Sequence, residues 1–310
     1  MNAKFDVGIV GGGPAGLSAA LFLARYLHSV ILIDSGDPRN WETRGINCFL
    51  GLPGIEPAEL RARGRDEARK YGVTLVDDCV HRAQKLTDDE FVLTTDSGSD
   101  YDARRLLLAI GLKDVWPDIP GLERAYGETA HVCPDCDGYE AKDRKTVVIG
   151  HGRKAVGMAL TLSTWTRELI ICTNGHPPEM DEPVYCEKLD ALNIPVITTK
   201  VMRANVKQGR VHCLELEDGM ALDAERIFFA IGQYPADDLG AQLSCKRDAG
   251  GHIVVDKHYN TSVENVFAAG DIVPGSQLAI AAAADGAIAA LAIHKSLVAE
   301  GQKLENASPA

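Results

Sequence analysis

A strand, a glycine turn and a helix occur in that order twice in this chain, a repeat that few folds accommodate. The first copy runs FDVGIV, then GGGPAG, then a helical stretch through Tyr26, then a second apolar strand, VILID, that ends in Asp34. In that setting Gly11 permits the tight turn, Gly13 lets a pyrophosphate approach the backbone, and Gly16 lets helix and strand pack closely. The helix N-terminus offers partial positive charge to phosphates. Asp34, 23 residues after Gly11, is placed to accept hydrogen bonds from a ribose 2′-hydroxyl. Strand, turn, helix, strand and terminal acid together predict a bound dinucleotide.

The second copy is KTVVIGHGRKAVGMAL, from Lys145 to Leu160, with Gly150 and Gly152 at the first two glycine positions and Ala155 at the third; ELIICT follows as its second strand. Each half also closes alike: FVLTT and LLLAIG end the first at Gly111, VHCLELEDG and IFFAIG end the second at Gly232. A strand, a glycine-containing turn and an apolar strand read as a β-meander leading to a buried strand. A third such strand, FAAGD from Phe267 to Asp271, comes only after the second unit is complete, so the chain returns to its first domain. The expectation is an α/β protein of two Rossmann-like, three-layer ββα dinucleotide-binding domains, the second inserted into the first. The boundaries read from sequence are 1–115 with 243–310 for the outer domain and 116–242 for the insert. The crossings, LKDVWP and QYPADD, carry proline and polar residues suited to hinges.

Length and composition agree, since 310 residues at 45% hydrophobic allow two cores of ordinary size. A formal charge of −12 argues against nucleic acid or an anionic membrane as partner. The N-terminus lacks the basic start and cleavage site of a signal peptide, which predicts a cytoplasmic protein. The apolar stretch LAIAAAADGAIAALAIHKSL is divided by Asp285 and Gly286 into apolar runs too short to span a bilayer, so it reads as a buried helix.

Of the eight cysteines, six are scattered through or beside apolar runs and read as packing thiols. Cys133 and Cys136 differ, lying two residues apart in HVCPDCDGYE. No second CxxC or His pair completes a tetrahedral zinc site, so no metal is expected. Two cysteines at this spacing close a small ring while each sulfur stays open to separate attack. The neighbours Asp135, Asp137 and Glu140 would raise a thiol pKa, so activation must come from elsewhere. Asp137 before Gly138 also reads simply as a turn residue.

In this order, GGGPAG with Asp34, AIG at 109–111, CPDCDG, GHGRKA, AIG at 230–232 and AAGD at 268–271, the whole chain resembles the low-molecular-weight thioredoxin reductases and related FAD-dependent disulfide oxidoreductases. The resemblance implies FAD held by Gly11, Gly13, Pro14, Ala15, Gly16, Asp34, Gly111, Asp271, Gln277 and Leu278. It also implies a homodimer, Cys136 as the flavin-facing thiol, Cys133 as the interchange thiol and Asp137 as the acid–base group. Independently, the free N–H groups of a helix beginning near Ser276 to Leu278 suit the flavin N1/C2 oxygen edge, beside the plainer reading of that helix as core. Pro134 and the following GYE depart from the bacterial thioredoxin reductases toward a branch that includes small-molecule dithiol oxidases.

The second nucleotide site departs further. Thr173 stands where an acid would favour NAD, and no Lys or Arg lies between Thr173 and Cys186 to hold a 2′-phosphate. Glu179, Asp181 and Glu182 there would repel one. Gly150, Gly152, Arg153 and Lys154 make a weak second site for NADPH, for a second flavin, or for nothing if a protein such as ferredoxin supplies electrons. Arg61, Arg65 and Arg69 recur on one face of PAELRARGRDEARK, either as a dock for an acidic partner or as a solvated face paired with Glu59 and Asp66. The leading expectation is an enzyme moving electrons between FAD and a dithiol/disulfide substrate, a thioredoxin-like protein or a small molecule, in either direction. The alternative is a flavin-binding sensor with a static cysteine pair and a vestigial second site.

Overall fold

The computed structural model of the chain describes residues 4–40, 43–180 and 182–302. It forms two α/β units: Met1–Arg39, Ala58–Lys113 and Tyr234–Ala310 make the first, Asn40–Pro57 and Asp114–Gln233 the second. Each is built on a parallel sheet with a glycine turn after its central strand, the dinucleotide-binding architecture that the repeat predicts.

In the first unit the strand order is Thr74–Asp77, Val30–Asp34, Lys4–Val10, Asp100–Leu108, Glu90–Thr95, Val80–Thr87. Val266–Ala268 also pairs with Asp100–Leu108 in parallel, so the returning segment lies beside the end of that long strand. Pairing is parallel through Lys4–Val10 and antiparallel within the Val80–Leu108 meander. VILID is apolar from Val30 to Ile33 because a parallel strand is covered on both faces. Val30 and Leu32 point into the core beneath the helices Pro14–Arg25 and Ala279–Leu297, while Ile31 and Ile33 point into the opposite core with Phe91, Leu93 and Leu106.

The helix Ala279–Leu297 is continuous over 19 residues, the helix that the sequence predicts, with Asp285 and Gly286 interrupting only its apolar character. Asp285 is tolerated because the Tyr259 hydroxyl donates to its carboxylate, and burial with that partner pushes the Tyr259 pKa up to about 12. By length and composition alone the helix could cross a membrane, yet Ala282, Gly286, Ala289, Ala290 and Ile293 are buried against the Pro14–Arg25 helix and its neighbours.

The second unit has a five-stranded parallel sheet in the order Val196–Ile197, Leu169–Cys172, Thr146–Ile149, Arg226–Phe229, Ala130–His131. Its antiparallel meander, Val201–Lys207, Arg210–Leu216 and Ala221–Asp223, forms a separate three-stranded sheet. The two halves therefore close less alike than their sequences suggest. In the first unit one strand serves both the meander and the parallel sheet; in the second the chain breaks at Ala224–Glu225, where the Glu225 side chain accepts the Lys145 N–H.

The partition differs from the sequence boundaries at three places, the smallest being Asp114 and Val115, which fall in the second unit. Asn40–Pro57 joins the second unit, folded back on itself by an Ile46–Ile55 bridge. Residues 234–242 join the first, because Leu239 is fully buried in its core beside Ile253. The scattered cysteines also differ from expectation: Cys172 and Cys245 are buried, Cys213 is half-buried, and Cys48, Cys79 and Cys186 are exposed. The exposed ones sit on turns or an outer helix face, places that local apolar composition does not reveal.

Candidate active site

In the first unit three distant motifs meet at the start of the Pro14–Arg25 helix. Gly11 has φ 105°, and a Cβ there would lie 2.2 Å from the Ala109 carbonyl oxygen, so the first glycine turn is pressed on the AIG strand end. A Cβ on Gly270 would fall 2.9 Å from the Ala15 Cβ, which brings AAGD to the same place. Gly111, with φ 69°, turns the chain just after AIG. Pro14 takes the first helical position, where its missing N–H costs nothing, and no side chain caps the N-terminus at Gly13. The space a Gly13 Cβ would enter holds no atom within 4 Å. Gly16 is held to glycine by contact with its own turn, since a Cβ would lie 1.9 Å from the Gly11 carbonyl oxygen.

Asp34 closes this turn. Its Oδ1 accepts the Gly12 N–H at 3.0 Å, and its Oδ2 lies 3.3 Å from Arg65 Nη1. Arg65 also pairs with Asp77, and only 15% of its side chain is exposed, so the arginine stripe of Pro57–Lys70 is not one solvated face. Arg63 pairs with Glu59 and Arg69 with Asp66, while the buried Nε of Arg61, one turn before Arg65, has no hydrogen-bond partner among the described residues. Near AAGD, Arg39 Nη1 donates to Asp271 Oδ2 at 3.1 Å and to Gln277 Oε1 at 2.7 Å. Leu278 is the N-cap of the last helix, again with no side-chain cap. Arg39 escaped the sequence reading because its surroundings, DPRN, carry no periodic signal.

In the second unit Cys133 and Cys136 are joined as a disulfide. Cys133 follows the short strand Ala130–His131 and caps the single helical turn Pro134–Asp137, its Sγ accepting the Cys136 N–H at 3.1 Å. Pro134 at the first helical position suits this turn for the same reason as Pro14. Both cysteines are half-buried. Asp137 Oδ2 lies 3.4 Å from Nδ1 of His131, which is 6% exposed and whose Nε2 has no partner among the described residues. Gly138 has φ −64°, so turn geometry does not demand glycine there; a Cβ would sit 2.4 Å from the Trp165 ring. Asn47, from the Asn40–Pro57 segment, reaches the Cys136 carbonyl at 3.4 Å and the Glu140 carboxylate at 3.5 Å. His131 and Asn47 were missed as site residues, since only folding reveals what they face.

The second glycine turn has Gly150 at φ 153° and Gly152 at φ 61°, with Arg153 and Lys154 exposed on the first turn of the Gly152–Leu162 helix. His151 Nδ1 lies 2.9 Å from Glu179 Oε2 and its ring stacks near His176 at 5.2 Å, a grouping that spacing along the chain does not show. Glu182 accepts the Tyr185 hydroxyl, which raises the tyrosine pKa; Asp181 lies outside the described residues.

Residues 5–286 match the family model of the pyridine nucleotide-disulphide oxidoreductases. The chain is 30% identical to the thioredoxin reductase of Treponema pallidum, over 94% of this chain and 96% of that one. Among solved structures it resembles a putative thioredoxin reductase TrxB from Bacillus anthracis, with TM-score 0.88, 30% identity and coverage of 94% and 98%. It also resembles a protein named HlmI, with TM-score 0.90, 33% identity and coverage of 96% and 94%. The chain belongs to the pyridine nucleotide-disulphide oxidoreductase family, as a thioredoxin reductase-like oxidoreductase that acts on disulfides.

Proposed function

We propose that this protein is an FAD-dependent dithiol/disulfide oxidoreductase in which Cys133 and Cys136 alternate between disulfide and dithiol. The observation that carries this reading is the half-buried Cys133–Cys136 disulfide with Asp137 and the buried His131 directly behind it. FAD supplies two-electron chemistry when bound. The open space over Gly13, the uncapped helix start, the Asp34 carboxylate and the unpartnered Arg61 Nε suit the ADP half of such a group. The Arg39–Asp271–Gln277 cluster and the uncapped helix start at Leu278 suit its flavin half.

In the reducing direction the Cys133 thiolate attacks a substrate disulfide, forming a mixed disulfide and releasing one substrate thiolate. The Cys136 thiolate then attacks Cys133 Sγ, restoring the intramolecular bond and releasing the second substrate thiolate. Asp137 holds or returns the proton exchanged with the departing sulfur, and His131 orients its carboxylate. The oxidising direction is the same sequence reversed, with a dithiol as substrate.

A homodimer is supported by Ile280, Ile288 and Leu291, exposed on the last helix. A cytoplasmic setting is supported by the exposed free thiols Cys48, Cys79 and Cys186, which suit a reducing compartment. The test of function is Cys136→Ser, assayed with dithionite-reduced protein and an aromatic disulfide reporter. The variant keeps one FAD per chain and loses multiple turnover; a variant that turns over like the parent refutes the assignment.

A further inference from the structure

The pyridine nucleotide that the family implies does not fit the second glycine turn. A dinucleotide needs free N–H groups at the helix start and empty space over the second glycine, where the pyrophosphate meets the backbone. The first unit provides a comparison within the same chain, because the space over Gly13 is empty to 4 Å. At the equivalent position in the second unit, atoms of Glu179 lie 3.5–3.6 Å from where a Gly152 Cβ would project. The Gly152 N–H is itself engaged, donating to the Pro178 carbonyl at 2.8 Å. His151 holds the Glu179 carboxylate in place, so a negative charge stands beside the turn where phosphates would bring more.

The rest of the site agrees. Thr173, at the position of the ribose-binding acid, is 1% exposed, and its hydroxyl donates to the His176 carbonyl at 2.6 Å, turned toward the protein's own chain. No Lys or Arg lies between Thr173 and Cys186 to receive a 2′-phosphate.

We propose that the chain closes its own second nucleotide site: Pro178 and Glu179 stand in for a dinucleotide pyrophosphate on Gly152, and neither NADH nor NADPH docks there. The reductant or oxidant of the flavin is then something other than a pyridine nucleotide. This goes beyond the disulfide-exchange reading and does not rest on it.

The test is direct binding of NADH and NADPH to the oxidised flavoprotein by isothermal titration, without turnover. It compares the parent with Pro178→Gly/Glu179→Ala, a change confined to an exposed segment. The parent is expected to show no saturable binding up to about 1 mM, near −4 kcal/mol. The double variant, with the carboxylate removed and the segment loosened, is expected to bind NADH or NADPH at least about tenfold more tightly. Saturable binding of one NADH or NADPH per parent chain overturns the proposal. So does a double variant that binds no better than the parent, because the segment would then not be what excludes the nucleotide. Either result leaves the Cys136→Ser assay, driven by dithionite, to judge disulfide exchange separately.

Discussion

Replacing a helical glycine with alanine normally favours a helix by about 1 kcal/mol, and this protein offers two such sites with opposite surroundings. At Gly157, on the exposed face of Gly152–Leu162, an added Cβ meets nothing within 4 Å. At Gly286 it would lie 2.0 Å from the Ala15 carbonyl oxygen and 2.7 Å and 2.9 Å from Ala15 carbonyl carbon and Cα, all backbone atoms that cannot swing aside. Ordinary contact begins near 3.4 Å, so the last helix must move by about 1.4 Å, as an overpacked core does. Overpacking costs about 1–3 kcal/mol and sometimes more, against a helix gain of about 1 kcal/mol. With backbone contacts as close as 2.0 Å the cost falls at the upper end, so Gly286→Ala is expected to lose about 2 kcal/mol net, and Gly157→Ala to gain about 0.4–1 kcal/mol.

With FAD held in the first unit as proposed, thermal melts read by flavin release follow that unit, and fluorescence of Trp116 and Trp165 follows the second. Gly286→Ala should lower the flavin-release midpoint by about 2–8 °C, and Gly157→Ala should leave it unchanged while raising the tryptophan midpoint slightly. Shifts of the same sign and size in both variants would refute the reasoning, since intrinsic propensity rather than backbone contact would then govern Gly286.

Asp237 gives a pH test. Burial raises its pKa from the ordinary 3.8 to about 6, with Asp238 adding to the shift. The protonated form is the one folding favours, so the cost of burying the charge is absent below 3.8, grows as pH rises to about 6 and is complete above it. Asp237→Asn keeps an acceptor for the Leu239 N–H and should stabilise the protein by about 1–3 kcal/mol at pH 8 and not at pH 3.5, measured by urea unfolding. Equal stabilisation at both pH values would rule out the buried charge as cause. His131→Gln should slow disulfide exchange at least about tenfold with unchanged flavin content, because the Asp137 carboxylate loses the group beside it. Stopped-flow reduction of the Cys133–Cys136 pair checks this, and an unaltered rate would leave His131 as packing.

Much of the fold was legible in the sequence because its signals are local. Strand, glycine turn, helix and acid follow one another within about 30 residues up to Asp34, and the unbroken apolar run Val30 to Ile33 encodes two covered faces. The cysteine pair was legible in part for the same reason: its spacing permits the ring it closes, while its role rests on the family resemblance. Local composition misled where burial depends on distant packing. IICTNG does bury Cys172, whereas INCFL, read the same way, leaves Cys48 exposed.

What the sequence by itself determined was the repeated α/β unit, the insertion of one unit in the other, and the close CxxC pair, all written in the order and period of neighbouring residues. Only the tertiary structure decided which residues those motifs face: Arg39 on Asp271, His131 on Asp137, Ala15 under Gly286, and Pro178 with Glu179 on Gly152. These pairs lie six to more than two hundred residues apart, and no spacing rule specifies them. They arise from where the packed sheets and helices bring each chain segment to rest.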